Sequence, residues 1–352
     1  MLRSIGRHAL ALSVLLAIPA AATAQLEVTG RGASLIIGGL VQPQYGVSSI
    51  DGADNDFQIR RTRLRAELAV NDFLSGRVMT EWGGGSGRIL DAYASMAFSD
   101  GFELSFGQFK RAFDLFELPS PADLPEIERD GRIEGFAPCA SVGSICSYSR
   151  LTEQLGYAGR DLGLRAGGTV GGAQYLATLT NGTGLNTADE NDRKSASGRL
   201  TFGVGDDLSV SGQVALHDYV DADGNASALA FGGDVELGTW RDGLHLRGSL
   251  VAGDNWMDLD AALGPATFLT FQGIVSWYFP MDGERLVGIE PMGRLSYGDP
   301  NTDVADDGGI LFTPGVMFYV QGRSRIGANM DIYSPQTGDM EFEFQVQTTL
   351  YY

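Results

Sequence analysis

The stretch Glu341-Phe342-Glu343-Phe344-Gln345-Val346-Gln347-Thr348-Thr349-Leu350-Tyr351-Tyr352 closes the chain with a two-residue alternation. Phe342, Phe344, Val346, Leu350 and Tyr352 share one parity; Glu341, Glu343, Gln345, Gln347 and Thr349 share the other. Successive side chains on a strand point to opposite faces, so one face of this segment meets an apolar medium and the other meets water. A soluble sheet can show the same pattern. A chain that stops on an aromatic residue in register with the apolar face is more typical of the closing strand of an outer-membrane β-barrel.

The other end agrees. Arg3, Arg7 and His8 precede an apolar run from Ala9 to Ile18, and Ala22-Thr23-Ala24 offers small residues for cleavage before Gln25. This pattern predicts a secretory signal peptide over residues 1–24 and a barrel domain over 25–352. No later stretch supplies the roughly 20 uninterrupted apolar residues of a spanning helix. The 49 glycines and a mean hydropathy of −0.03 suit many short strands joined by tight turns. Without Arg3 and Arg7, the 25 basic residues fall to 23 against 44 acids, a mature charge near −21. Such acidity excludes nucleic-acid partners, which require clustered positive charge.

Alternating segments fall near 33–45, 57–70, 74–82, 89–98, 102–109, 161–170, 173–180, 194–203, 208–217, 227–238, 244–253, 267–279, 285–297, 309–320, 325–333 and 341–352. About sixteen strands are thus expected. Short connections such as Asn71-Asp72-Phe73 and Gly171-Gly172 alternate with longer ones: Gly46 to Asp56, Asn181 to Arg193, Asp254 to Ala266 and Gly298 to Gly308. Short turns on one side and long loops on the other mark an up-and-down membrane barrel, and an even count returns the C-terminus to the turn side. Phe98, Phe109, Trp82, Phe202, Trp277, Tyr278, Phe279, Phe318 and Tyr319 lie near strand ends, where aromatic girdles would use them.

The most chemically pointed segment is Phe57 to Val70. From Thr62 onward, Leu64, Ala66, Leu68 and Val70 make a lipid-compatible face, and Arg61, Arg63, Arg65 and Glu67 point the other way. An arginine facing lipid at mid-bilayer costs roughly 2–4 kcal/mol, so this row belongs in the lumen. Same-face residues are about 7 Å apart, which makes a ladder of guanidiniums down the wall. Rows of Arg and Lys select anions in pores. The alternative is that these arginines pair with acids of neighbouring strands, such as Glu81 and Asp91.

The connection from about Lys110 to Arg160 is far longer than a barrel loop needs, and Arg111 to Pro119 is too apolar for full solvation. It is expected to fold into the lumen as a constriction with Lys110, Arg111, Arg129 and Arg132 near its narrowest point; a lid over the mouth is the alternative. Cys139 and Cys146, in a Gly/Ser-rich stretch, are expected to form a small-loop disulfide in an oxidising compartment, the alternative being two free thiols. Asp221-Ala222-Asp223-Gly224-Asn225 has the look of a calcium loop but lacks the distal glutamate, so a plain turn is the preferred reading. His217 and His245 have no accompanying nucleophile motif. No metal, cofactor or enzymatic activity is expected.

Phe57 to Asp72, Asp91-Ala92-Tyr93, Gly107-Gln108-Phe109-Lys110, the run Glu117 to Arg129 and Gly159 to Gly163 together resemble the phosphate-selective porin O and P family. Asn181-Gly182, Glu290-Pro291 with Arg294, and Thr313 to Val316 fit it too, in the same order along the chain. The resemblance implies a sixteen-stranded barrel in the outer membrane of a Gram-negative bacterium, a homotrimer set in lipid, with inward-folded loops. It also implies an arginine ladder, here Arg61, Arg63 and Arg65, that conducts small anions such as phosphate. Departures from the family temper that expectation. Phosphate-preferring members carry lumen lysines, whereas this chain has only Lys110 and Lys194, and Lys110 to Glu134 holds four basic residues against seven acids. A weakly selective diffusion porin and a plugged structural barrel are the competing expectations.

Overall fold

The computed structural model describes residues 26–30, 32–129, 131, 133, 138–139, 143–144, 147–189, 191–221, 224–260 and 264–352. Sixteen long strands form the wall. The first eight are β1 (Ala33–Ser48), β2 (Asp56–Ala69), β3 (Leu74–Gly83), β4 (Ser86–Ser99), β5 (Phe102–Lys110), β6 (Arg160–Val170), β7 (Ala173–Thr180) and β8 (Ser195–Val204). The rest are β9 (Leu208–Asp221), β10 (Gly224–Thr239), β11 (Asp242–Asp260), β12 (Gly264–Trp277), β13 (Gly288–Asp299), β14 (Gly309–Gln321), β15 (Ser324–Pro335) and β16 (Glu341–Tyr351).

Each strand pairs antiparallel with the next, β5 and β6 across the long connection included. β16 returns to β1, from Leu40↔Tyr351 to Ser48↔Glu343. Closure leaves no strand edge with unpaired backbone groups in lipid, the only sheet arrangement a bilayer tolerates. Below the end of β16, a short ladder, Leu26–Gly30, occupies the remaining edge of β1. Gly39 and Tyr352 exchange both backbone hydrogen bonds at the join, at 2.7 and 3.1 Å. The chain is thus an all-β, sixteen-stranded antiparallel barrel.

The period-two pattern decides which face each side chain takes. Leu64, Leu68, Val78, Phe106, Leu164, Phe231, Leu250 and Phe344 stand exposed on the outside. Gln42, Gln44, Gln345, Gln347 and Thr349 are buried on the inner face, where Gln42 donates to Thr349 Oγ1 (3.0 Å) and Gln347 to Gln44 Oε1 (2.9 Å) across the closing seam. An apolar exterior over a hydrogen-bonded polar interior is the inverse of a soluble fold and fits a lipid surround.

Turn chemistry appears at both ends. Gly171 and Gly172 both have positive φ (59° and 84°), as a two-residue hairpin requires, and Gly84 and Gly85 (61° and 84°) do the same at the opposite end. The expected long connection from Asp254 to Ala266 is mostly strand: β11 runs to Asp260 and β12 starts at Gly264, with a register shift between Asn255 and Leu259. In the calcium-like segment Asp221 pairs with Gly224 and Val220 with Asn225 as the last rungs of the β9–β10 hairpin, while Ala222 and Asp223 lie outside the described residues. Phe73, Phe98 and Phe102 pack together at the turn-side rim, edge-to-face and tilted, with centroids 5.3 and 5.4 Å apart, as girdle residues do. Phe109 and Tyr319, expected in the girdles, are instead fully buried and point inward.

The connection between β5 and β6 carries a 3-10 turn at Pro121–Asp123 and the helix α1, Tyr148–Gln154. Phe113, Phe116, Leu124, Tyr148, Leu155 and Tyr157 are buried, several of them in one apolar cluster with the wall residues Ala215, Ala230, Val251, Phe268 and Leu311. The backbone is tied to inward side chains around the wall. Ala112 N donates to Ser197 Oγ (2.9 Å), Asp114 N to Gln213 Oε1 (2.6 Å) and Tyr148 N to Ser296 Oγ (2.9 Å). Arg247 donates to the Leu115 carbonyl (2.7 Å) and Tyr351 Oη to the Ala122 carbonyl (2.5 Å).

Candidate functional site

The basic strand β2 departs from strict alternation at one point. Gln42 pairs with Arg61 and Pro43 with Ile59, which leaves Arg60 as an extra residue. Such a bulge shifts the parity of everything beyond it. Phe57 and Ile59 point out on odd numbers, whereas Leu64 and Leu68 point out on even ones. Arg60 and Arg61 are therefore both turned inward. Sequence reasoning missed Arg60, although the change of apolar parity between Ile59 and Leu64 was a usable signal.

Each expected ladder residue meets an acid. Arg60 Nε and Nη2 reach Glu128 Oε1 and Oε2 at 2.7 and 3.0 Å, and Arg61 Nη2 reaches Oε2 at 2.8 Å. Arg63 Nε pairs with Glu81 Oε2 (2.6 Å), whose other oxygen takes Arg88 (2.6 Å), while Arg63 Nη1 donates to Ser120 Oγ (3.1 Å). Arg65 lies 3.6 Å from Glu67, which also faces Arg77 at 3.7 Å. Asp91 receives Arg160 at 2.7 Å and Arg77 at 3.6 Å. Glu81 and Asp91 are the wall partners anticipated, but Asp91 serves Arg77 and Arg160 rather than the ladder. Arg61 takes its acid from the loop, not from Glu341 or Glu343 of β16.

The lattice has a charge excess. Arg60, Arg61, Arg63, Arg65, Arg77, Arg88 and Arg160 face Glu67, Glu81, Asp91 and Glu128: seven cations over four acids, a net +3. Arg65 is the most accessible of the expected row, its side chain 25% exposed against 5% and 6% for Arg61 and Arg63. Burial alone would raise the Glu128 carboxyl, but the Arg61 and Arg60 guanidiniums outweigh it and hold that group at about 2. It stays ionised as the loop's anchor on β2.

The other expected residues serve the loop itself. Lys110 Nζ donates to the carbonyls of Glu117, Leu118 and Pro119, stapling the turn they form. Arg111 donates to the carbonyls of Gly156 and Leu216 and lies against His217. Arg129 pairs with Glu117. Arg132 and Cys146 lie outside the described residues; Cys139 sits in a two-residue ladder, opposite Gly143. Across the lumen stand Arg199 with Asp234 (2.5 Å), Arg247 with Glu236 (3.4 Å) and Arg294 with Asp331 (2.8 Å); of these, sequence reasoning had noted only Arg294, as part of the family pattern. His245 Nε2 meets Glu236 at 2.8 Å.

Residues 38–239 match the family model for phosphate-selective porin O and P. The chain belongs to that family. It is an outer-membrane porin, a non-enzymatic channel. No curated protein is a sequence match. Among solved structures, the porin is similar to the outer-membrane channel DcaP of Acinetobacter baumannii, with a TM-score of 0.64 and 13% identity over 92% of this chain and 99% of that one. It is also similar to an anion-selective porin from Comamonas acidovorans (TM-score 0.63, 13% identity, 91% and 100% covered). Salmonella typhi OmpF in complex with daunomycin gives a TM-score of 0.60 at 12% identity, covering 93% and 100%. At these identities the likeness concerns the fold.

Proposed function

We propose that this porin is a passive diffusion channel for small hydrophilic solutes that favours anions, phosphate among them. The observation that carries the reading is the ion-paired lattice made by the inner faces of β2, β3, β4 and β6 with Glu128 of the β5–β6 connection, where seven guanidiniums outnumber four carboxylates. In a water-filled lumen such an excess lowers the free energy of anions, while the interspersed acids keep binding weak enough for release. Arg65, Arg61 and Arg63 are its contact row; Lys110, Arg111, Arg129 and Arg132 act through the β5–β6 connection, which narrows the lumen. The channel works as a homotrimer in outer-membrane lipid, residues 1–24 direct its export, and Cys139 and Cys146 are bridged.

A plugged structural barrel is the second reading. It is favoured by the buried aromatic packing of Phe113, Phe116, Tyr148 and Tyr157 inside the wall. Recording single channels in planar bilayers under a potassium chloride gradient decides between them. The anion reading requires open channels whose reversal potential has the sign of chloride permeation. A cation-selective sign would overturn it, and folded protein that never conducts would favour the plug.

A further inference from the structure

Arg165, on β6, differs from the lattice arginines. Among the described residues no carboxylate lies within ion-pairing distance of it. Its guanidinium carbon sits 4.6 Å from the Tyr93 ring centroid and 5.0 Å from that of Phe109, and Nη2 donates to Ser105 Oγ at 3.3 Å. The position is built by its neighbours. Ser105 is the cross-strand partner of Arg165, and Ser95 and Ser105 share a hydrogen bond of 2.7 Å. Gly107 lies where a Cβ would come within 2.2 Å of the Ala92 carbonyl and 2.7 Å of Tyr93 Cα, so no side chain intrudes where the Tyr93 ring crosses.

The same arginine lines a cavity of about 630 Å³ between the turn-side half of β4–β8 and Leu118 of the loop. Its charged lining is Arg165, Arg199, Asp100 and Glu103, with Arg199 already held by Asp234. Leu118, Leu176 and Ala97 supply apolar surface. We infer that this cavity is an exit-side binding site for small monocarboxylates, with the free edge of the Arg165 guanidinium as the group that takes the carboxylate.

Three physical points support the assignment. The guanidinium lies over the Tyr93 and Phe109 rings, and its planar fork matches a carboxylate in a bidentate fashion. Desolvation of the cation against aromatic faces has already been offset by cation–π attraction, so the site is preorganised. With Arg199 held by Asp234, the remaining charges of the lining are Arg165 against Asp100 and Glu103, a balance that disfavours a dianion such as hydrogen phosphate and leaves Arg165 as the one group able to take a single carboxylate. The apolar strip suits a short alkyl body. This site rests on the channel being open and anion-conducting.

The test is inhibition of chloride current through the full-length porin in planar bilayers, with propionate and inorganic phosphate as competing probes. Wild type should be inhibited by propionate at a lower concentration than by phosphate. Arg165→Gln should raise the propionate concentration for half-inhibition at least fivefold. Arg165→Lys, which keeps the charge but loses the fork, should raise it less. If Arg165→Gln yields no folded channel, Arg165→Lys carries the comparison, and half-inhibition equal to wild type would overturn the site. Phosphate inhibiting below propionate in wild type would overturn it as well. A wild-type channel that is closed or prefers cations overturns this site together with the function proposed above, whereas an anion-selective wild type whose propionate response ignores Arg165 overturns the site alone.

Discussion

At the scale of single residues, the loop depends on two carboxylates with opposite protonation behaviour: Glu128 ties it to the wall, and Asp114 accepts from Phe116 N and Thr152 Oγ1 within it. Glu128, held at about 2 by Arg61 and Arg60 against its burial, contributes stability that is complete above its ordinary value of 4.5 and is lost only as pH falls through 2. Asp114 is raised from 3.8 to about 6, chiefly by burial and then by Glu117. It therefore favours the folded state below pH 3.8, and that contribution disappears as pH rises through 6. Lowering the pH from 7 to 5 should accordingly tighten the loop, and the protection of residues 112–117 against hydrogen exchange, taken relative to the intrinsic rate at each pH, should rise in wild type but not in Asp114→Asn. Glu128→Gln leaves the buried Arg61 and the half-buried Arg60 without this acid, at a cost of roughly 3–5 kcal/mol. Exchange of residues 120–129 should then accelerate by about two to three orders of magnitude. Unchanged protection would mean that the Arg60–Glu128–Arg61 triad does not anchor the segment.

At the scale of elements, the bulge in β2 explains how a strand can put two adjacent arginines into the lumen. Deleting Arg60 removes the extra residue while leaving Phe57 and Ile59 outward, since Ile59 then directly precedes Arg61 in regular alternation. The barrel should still fold, read as heat-modifiable migration in gels, with the lattice excess reduced by one charge and a smaller anion preference. Failure to fold would show that the bulge is needed for closure.

The same strand shows what a sequence reveals. All sixteen strands were legible because outward and inward residues alternate with a fixed period, and lipid permits no exceptions on the outer face. The inward faces were harder to read, since lumen arginines obey no period in their choice of partner. Arg63 with Glu81 could be anticipated from adjacent strands. Arg61 with Glu128 could not, because the acid comes from 67 residues away on a loop whose path no local pattern encodes. Phe109 and Tyr319 misled for a related reason: an aromatic at a strand end serves a girdle or an interior, and only its parity relative to a bulge or turn tells which.

At the scale of the whole molecule, a chain of formal charge −19 is proposed to prefer anions, which is coherent only if the selecting field is local to the lumen. The Debye length is about 10 Å at 0.1 M salt and about 3 Å at 1 M. A +3 excess spread along one wall should therefore lose its grip on mobile ions as salt rises, while the acids elsewhere on the surface are screened at every concentration used. The chloride-to-potassium permeability ratio should fall toward unity between 0.1 and 1 M potassium chloride. Replacing Arg61, Arg63 and Arg65 together by alanine takes the lattice from +3 to zero and strips Glu81 of one of its two partners. That variant should show no anion preference at low salt, and its ratio should barely move with concentration. A wild-type ratio independent of salt would mean that ions are discriminated by contact at a narrow site rather than by the field of the arginine lattice. A triple variant matching wild type would mean that these three side chains only brace the wall.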